Sequence, residues 1–400
     1  MAIRATKRGE ERTPLDGDYD VVICGASFAG LTVARELSGS GARVLIVDRY
    51  EIGERQTSAC AAPTQWLQNM GLQESIVQTF GDLVIHRRQE KGGARPTKTY
   101  RWSLPWTFST FDYRRLCALL KAQSPDVPFE TAKVNGITRG AASHTVHTDR
   151  GDLHAPLVVD ALGWRRVLSS SPDAIQPPDA RLSRGLEVHP KVADAHSRDL
   201  ELWLDCDYVR PGYSWSFPAG DEVRVGVGSF DPRIKVKQPT VDLAGALGVA
   251  PDGYQGNWIP HVLRPATEDG VFFVGDSAGH CLPTTAEGIR TALYFGLAAG
   301  RELRAVVDGS QSRGQALTRY GAFSDKHQTA FRWLWRVQGL VSWLNRSRVM
   351  DLALDAMDRP RFVRWSFRHY LDIAPPSYAL TATRPGAPVL AADDTQPPLV

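Results

Sequence analysis

The sequence predicts a two-domain α/β fold, with a Rossmann-like parallel-sheet domain, an antiparallel sheet set into it and helices at the C-terminus. Three observations carry this. Residues 19–48 run strand, glycine turn, helix, strand and acid in one short stretch. Residues 181–260 change to a period of two, with Tyr213, Trp215 and Phe217 alternating with serines. A further apolar run at 271–274 ends in Gly275-Asp276 ahead of a long apolar helix.

The first stretch opens with Val21-Val22-Ile23-Cys24, a short apolar run of the kind that forms a buried parallel strand. Gly25 permits the tight turn after it, and Gly30 lets the following helix lie close on the strand. The helix carries Leu31, Ala34 and Leu37 on one face and ends at the glycines around Gly39 and Gly41. Its first N–H groups, around Ser27, Phe28 and Ala29, sit at the positive end of the dipole and attract a pyrophosphate. Ser27 stands where the usual pattern has its middle glycine. Asp48 closes the second strand 18 residues after Gly30, where a carboxylate accepts from a ribose diol, and Arg49 adjoins it. An acid at this position fits FAD or NAD better than NADP. An ordinary βαβ crossover is the alternative.

Composition narrows the class. The chain has 400 residues, 42% of them hydrophobic, enough for two modest cores. A net charge of +3 predicts no nucleic-acid partner. Cys24, Cys60, Cys117, Cys206 and Cys281 are scattered without a CxxC pair, which points to a reducing, cytoplasmic setting without a disulfide framework or metal site. No run of about 18 apolar residues is present, and residues 1–18 lack an apolar signal core. Residues 1–18 and 374–400 read as loose tails. Nothing in the sequence fixes an oligomeric state.

Along the chain, Gly53 and the polar residues 54–58 form a loop leading to Cys60-Ala61, and residues 63–72 a short helix. Residues 82–108 read as two strands around a polar turn, and Asp112-Tyr113-Arg114-Arg115 opens a helix with Leu116, Leu119 and Leu120 inward. Turns are expected at Asn135-Gly136 and Arg150-Gly151. An apolar strand ends at Asp160, before Ala161-Leu162-Gly163. Next to Arg210-Pro211-Gly212, the run Tyr213-Ser-Trp-Ser-Phe-Pro218 places three aromatics on one face. Gly226-Val227-Gly228 lies within a strand with no helix after it, so it is not a second dinucleotide turn. Gly275-Asp276 leads through His280, Cys281 and Pro283 to Glu287-Gly288-Ile289, where the long helix begins.

Together these motifs resemble the geranylgeranyl reductase/FixC-like family of FAD-dependent oxidoreductases, within the para-hydroxybenzoate-hydroxylase-like flavoproteins. The resemblance covers residues 19–330 in order and spacing. It implies a discontinuous FAD-binding domain (19–81, 109–175 and 261–330), a substrate domain (82–108 and 176–260) and a C-terminal helical segment (331–373). It implies that Gly25, Ser27, Phe28, Ala29, Gly30, Asp48 and Arg49 hold the nucleotide end, and that Arg114 reaches the phosphates. Cys60, Ala61, Asp276, Pro283, Gly288 and Ile289 then border the ribityl chain and flavin ring. Cys60, Tyr213, Trp215 and His280 are the candidates for the catalytic cavity. A buried filler cysteine and a packed histidine are the plainer readings of Cys60 and His280. Departures from the family pattern stand at Ser27, Ala61, Tyr113 and Leu162.

The implied activity is hydride transfer from reduced flavin to a carbon–carbon double bond of an apolar, isoprenoid-like substrate, with NAD(P)H or a reduced ferredoxin as electron donor. An FAD monooxygenase is the alternative, a flavin halogenase the third reading, and a non-catalytic lipid carrier on the same fold a fourth. The Trp- and Arg-rich residues 331–350 and 361–371 read first as core helices with arginines at their edges. The other reading is a basic aromatic face in peripheral contact with a membrane.

Overall fold

The computed structural model describes residues 13–56, 58–87, 98–170, 182–192, 199–204, 207–344 and 348–381. Its centre is a six-stranded sheet in the order Thr267–Glu268, Val271–Phe273, Leu157–Asp160, Val21–Cys24, Val44–Asp48, Phe129–Thr131. Every pairing is parallel except the first. Up to their last residues, Cys24, Asp48 and Asp160, the central strands are all Val, Leu and Ile, because both faces of a parallel sheet are covered.

Register decides where a site can form. Val21 pairs with Val44 and Cys24 with Val47, while Leu157 pairs with Val21 and Asp160 with Cys24. The chain leaves Val21–Cys24 toward Val44–Asp48 on one side and leaves Leu157–Asp160 toward Val271–Phe273 on the other, so a switch point, at which α/β sheets open a crevice, falls between these two adjacent strands. Gly25, Asp48, Ala161 and the Gly275-Asp276 turn all lie at or just beyond the carboxyl ends of these strands.

Two helices frame that edge, Phe28–Leu37 and Ile289–Val307. A Cβ on Gly296 would meet Thr32 at 2.9 Å, and one on Gly300 would meet Glu36 at 2.6 Å. Both contacts have the same sequence offset, so the helices run parallel in close contact and present their N-termini at the same end.

The second sheet has eight strands, in the order Gln255–Pro260, Leu182–Val188, Glu222–Ser229, Gly212–Ala219, Leu200–Trp203, Ile76–Arg87, Lys98–Phe111, Ala61–Pro63. It is antiparallel apart from Leu200–Trp203 beside Ile76–Arg87. The hairpin is longer than residues 82–108, and Ala61–Pro63 joins it as an edge strand. The polar turn assigned to residues 91–96 and most of the proline-rich connector before residue 182 lie outside the described residues.

A third sheet joins Gly17–Asp18, Asp152–Ala155, His144–Thr148 and Val134–Thr138. Here three expectations are corrected. Asn135-Gly136 is not a turn; the pairing shifts between Val134 and Gly136, so the pair is absorbed as an irregularity inside a strand. Residues 13–18 are not loose, since Leu15 is buried and Gly17–Asp18 pairs with Leu153 and His154. Residues 374–381 are packed as well: Trp66 Nε1 donates to the Ala374 carbonyl at 2.9 Å and Asn69 Nδ2 to that of Pro376 at 2.9 Å. Residues 1–12 and 382–400 lie outside the described residues.

The C-terminal helices are Gln328–Leu344, Arg348–Met357 and Pro360–Asp372. They are not the core helices expected first. Met350, Leu354 and Val363 cluster with Ile85, Tyr100 and Trp102 of the large sheet, whereas Trp333, Trp343, Leu352 and Trp365 face outward. A one-sided layer against a sheet needs only one apolar stripe per helix, and these helices carry two. Among the described residues no helix is long and apolar enough to cross a membrane.

Candidate functional site

The glycine turn after the first strand is built by steric necessity. Gly25 has φ +114°, and a Cβ there would stand 2.2 Å from the Ala161 carbonyl oxygen. A Cβ on Gly30 would stand 1.9 Å from the Gly25 carbonyl oxygen. No side chain caps the helix that starts at Phe28, so the N–H groups of its first turn remain for an anion. Asp48 sits beside this turn, accepting from the Ala26 N–H at 2.8 Å and the Tyr50 N–H at 3.1 Å. Burial raises its carboxyl above the ordinary value, against the pull of those two bonds. Ser27 Oγ lies 3.1 Å from Tyr113 Oη, so two departures from the family pattern meet and put a pair of hydroxyls at the helix start. Phe28 packs edge-on to Phe111 and Tyr113, and buried Ala29 faces Gly275. Arg49 lies exposed over the Tyr50 ring. Arg114 is exposed with its backbone against Gly53, and Arg115 is tied to Glu74.

The second end lies at Asp276. Its carboxylate accepts no hydrogen bond among the described residues, and burial lifts its pKa to about 6 against the lowering effect of Arg264. Arg264 was not singled out from the sequence. Its own burial holds it down at about 10, with Arg166 adding to the effect and Asp276 opposing it. Asp276 Oδ1 would be 3.6 Å from a Cβ on Gly288, which stands at the start of the Ile289–Val307 helix. That helix also lacks a side-chain cap. Two parallel helices thus offer free N-termini at one edge, each with a carboxylate beside it.

The loop between Pro283 and Gly288 is held in strained conformations, with φ +71° at Thr284 and +53° at Ala286. Its clamps come from elsewhere. Tyr213 Oη donates to the Thr285 carbonyl at 2.6 Å, Thr284 Oγ1 to the Leu334 carbonyl at 2.7 Å, and Tyr370 Oη bonds Glu287 and Thr285 Oγ1. Buried Arg290 pairs with Glu287 at 2.8 Å and donates to the Leu371 carbonyl at 2.9 Å.

Opposite this loop stands the aromatic strand. Tyr213, Trp215 and Phe217 are half-buried, while Ser214 and Ser216 on the other face are buried. Trp215 is opposite Gly226 in register, and a Cβ on Gly226 would meet its ring at 2.2 Å. Gly226 and Gly228 therefore make room for the indole. Trp215 Nε1 donates to buried Glu187 at 3.2 Å, and Glu187 bonds His189 Nε2 at 2.9 Å. Arg224, buried on the same strand as these glycines, donates to the carbonyls of Ala59 at 2.7 Å, Cys60 at 3.1 Å and Phe111 at 3.1 Å. It fastens Cys60, which has φ +50°, and Ala61 beside the aromatic strand.

A fit to FAD can be judged from these features alone. The glycine cradle and first free N-terminus suit a pyrophosphate, Asp48 suits a ribose, and Asp276 suits hydroxyl donors it otherwise lacks. The second free N-terminus suits the electron-rich side of a flavin ring. The residues fit.

No family model matches the chain. Digeranylgeranylglycerophospholipid reductase 3 of Methanosphaera stadtmanae is 25% identical over 341 residues, covering 78% of this chain and 83% of that protein. A geranylgeranyl bacteriochlorophyll reductase-like protein from Thermoplasma acidophilum superposes with TM-score 0.77 at 17% identity, covering 91% of this chain and 98% of that one. The chain is geranylgeranyl-reductase-like. Its fold is that of the FAD-dependent oxidoreductases, including PqsL of Pseudomonas aeruginosa, described as a probable FAD-dependent monooxygenase (TM-score 0.63, 17% identity, 83% and 98% covered).

Within this geranylgeranyl-reductase-like fold, one expectation about chemistry is corrected. His280 does not face the site as an acid. It is fully buried, stacked on Phe295 at 3.6 Å, and its Nε2 lies 3.0 Å from Ser324 Oγ. Burial holds the ring well below its ordinary value and therefore neutral. Cys60 is fully buried too, and burial pushes its thiol well up despite Arg224. Asp160 is structural: it accepts from the Leu162 and Leu168 N–H groups and from Ser277 Oγ, at 2.9, 2.8 and 2.7 Å.

Proposed function

We propose that this geranylgeranyl-reductase-like oxidoreductase holds FAD along the edge from Gly25 to Gly288 and reduces carbon–carbon double bonds of an apolar, isoprenoid-like substrate. One observation carries the reading: a half-buried aromatic face, Tyr213-Trp215-Phe217, stands across from the loop that Asp276 and a free helix N-terminus adjoin. Bound reduced flavin supplies a hydride. Gly25, Gly30, Ser27, Asp48 and Arg114 would hold the nucleotide end, Asp276 the ribityl chain, and Pro283, Gly288 and Ile289 would border the ring. Trp215, fixed by Glu187, and the Cys60-Ala61 turn, fixed by Arg224, form walls that exclude water from the reacting double bond. Burial keeps the Tyr213 phenol protonated, raised from its ordinary value, so it holds a proton on the aromatic wall. Electrons come from NAD(P)H bound transiently or from a reduced ferredoxin.

The test is anaerobic. Photoreduced holoprotein is mixed with a geranylgeranyl lipid, and flavin oxidation and product mass are followed. Reoxidation with a gain of two hydrogens per double bond supports the reading. Inertness without oxygen, with NAD(P)H oxidation coupled to oxygen uptake in air, would replace it by the monooxygenase reading. A purified protein that takes up no flavin would remove both.

A further inference from the structure

The three C-terminal helices cover the large sheet with one face and leave another uncovered. Of the eleven large hydrophobic residues exposed among the described residues, eight lie on these helices: Trp333, Trp335, Leu340, Trp343, Val349, Leu352, Phe362 and Trp365. Trp343 is 73% exposed and Trp365 57%, far beyond what scattered surface residues explain. The inner faces converge on one cluster with Ile85, Tyr100 and Trp102, against which Val341, Leu344 and Phe367 also pack. Phe331 and Leu334, at the start of the first helix, pack instead on the main core, and the exposed residues lie on the faces these contacts leave free.

Charge says what covers it. Residues 328–372 contain eight arginines, four aspartates and no lysine or glutamate, a balance of +4 from 8 minus 4. Three of the aspartates turn inward: Asp351 pairs with Arg87 at 2.8 Å, Asp355 with Lys98 and Tyr100, and Asp358 accepts from Trp102 Nε1 at 3.1 Å. Arg336, Arg359, Arg361, Arg364 and Arg368 are exposed and have no acidic partner among the described residues. Acids paired to the sheet, with tryptophans and arginines outside, make an amphipathic layer suited to lying in a negatively charged interface. Tryptophan seats at the headgroup level there, and arginine stems lie along acyl chains with their heads among phosphates.

We propose that the outer face of the 328–372 helices is a docking surface for an anionic lipid bilayer. It deepens the apolar-substrate reading, on which its purpose rests. The same helices touch the strained loop through Leu334 and Tyr370, so a docked molecule holds the mouth of its site at the membrane.

Full-length holoprotein is sedimented with phosphatidylglycerol vesicles and, separately, with phosphatidylcholine vesicles, at low and high salt. Pelleting is expected with phosphatidylglycerol, at least tenfold weaker with phosphatidylcholine and weakened by salt. Arg361→Gln, Arg364→Gln and Arg368→Gln together lower partition about a hundredfold, taking about fivefold for each charge. Trp343→Ser with Trp365→Ser lowers it at least tenfold. Flavin content and thermal unfolding stay as in the wild type, because all five side chains are exposed. If the tryptophan pair misfolds, the arginine triple decides alone. Equal binding to both vesicle types overturns the proposal, as does absence of pelleting. An oligomer abolished by the tryptophan pair, without vesicle binding, would make the face a contact between copies or with another protein. Vesicle binding without reduction of any polyprenyl lipid leaves the docking surface standing and removes the substrate reading.

Discussion

Replacing Asp276 by Asn separates what this carboxylate costs the empty fold from what it gives the cofactor. Its pKa rises from 3.8 to about 6, so the folded protein favours the protonated form. That form contributes stability fully present below about pH 4 and lost as pH rises through about 6. At about 1.36 kcal/mol per unit, ionisation at pH 8 costs the apoprotein at most about 3 kcal/mol. Partial exposure screens the charge, so about 1–2 kcal/mol is expected. Asn keeps the shape of the protonated acid without the charge. Apo Asp276→Asn therefore unfolds in urea at a higher midpoint than apo wild type at pH 8, with the difference vanishing near pH 4. His280 contributes in the opposite sense, since a buried neutral ring disfavours folding as pH falls below its ordinary value, but it is common to both proteins and cancels. Flavin retention moves the other way: a carboxylate accepting hydroxyls is worth about 1.5–3 kcal/mol, a loss of at least tenfold in affinity for the variant. A less stable apo variant at pH 8, or unchanged FAD affinity, would refute the reasoning.

The other substitutions probe the cradle, the wall and the packed histidine. Gly30→Ala forces a Cβ to within 1.9 Å of a backbone oxygen, so soluble protein without flavin, destabilised by about 3 kcal/mol or more, is expected in absorbance and thermal melts. Gly226→Ala displaces the Trp215 ring, a side chain that can move, and should change which prenyl chain lengths turn over while leaving flavin content intact. His280→Ala should cost about 2–4 kcal/mol from lost packing, read by urea unfolding. It leaves the pH profile of flavin oxidation by substrate unchanged, and a lost acidic limb would restore His280 as an acid.

The glycine turn and the acid beside it were legible because their constraints are local. Gly25, Gly30 and Asp48 fall within a single βαβ unit, and each is fixed by the geometry of that unit. The Asp276 end was legible as a motif but not as a pair of parallel helices, because the contacts of Gly296 with Thr32 and Gly300 with Glu36 join segments far apart in sequence. The role of Gly226 and Gly228 could have been read. A two-residue turn at Gly220-Asp221 sets Trp215 opposite Gly226 and Tyr213 opposite Gly228, and the alternation of Val223, Val225 and Val227 then puts Arg224 on the glycine side. An arginine on a face otherwise cleared for aromatics marks a buried anchor. His280 was misplaced for a different reason. Lying four residues after Asp276, it reads as a neighbour, yet Gly279 turns left-handed at φ +67° and sends the ring into the core.

The C-terminal helices show where periodicity stops being informative. Trp333, Leu340 and Trp343 share a spacing with the buried Phe331 and Gln338 to within a turn, and a 3.6-residue pattern gives an apolar stripe without saying what covers it. The aspartates carry the missing information. Asp351, Asp355 and Asp358 follow one another at intervals of four and three and find Arg87, Lys98 and Trp102 on the sheet, so the polar stripe is the one that docks inward beside Met350 and Leu354. Once these acids are committed to the sheet, Val349 and Leu352 of the same helix are left on the outside, and the direction in which that helix faces follows from charge before it follows from hydrophobicity.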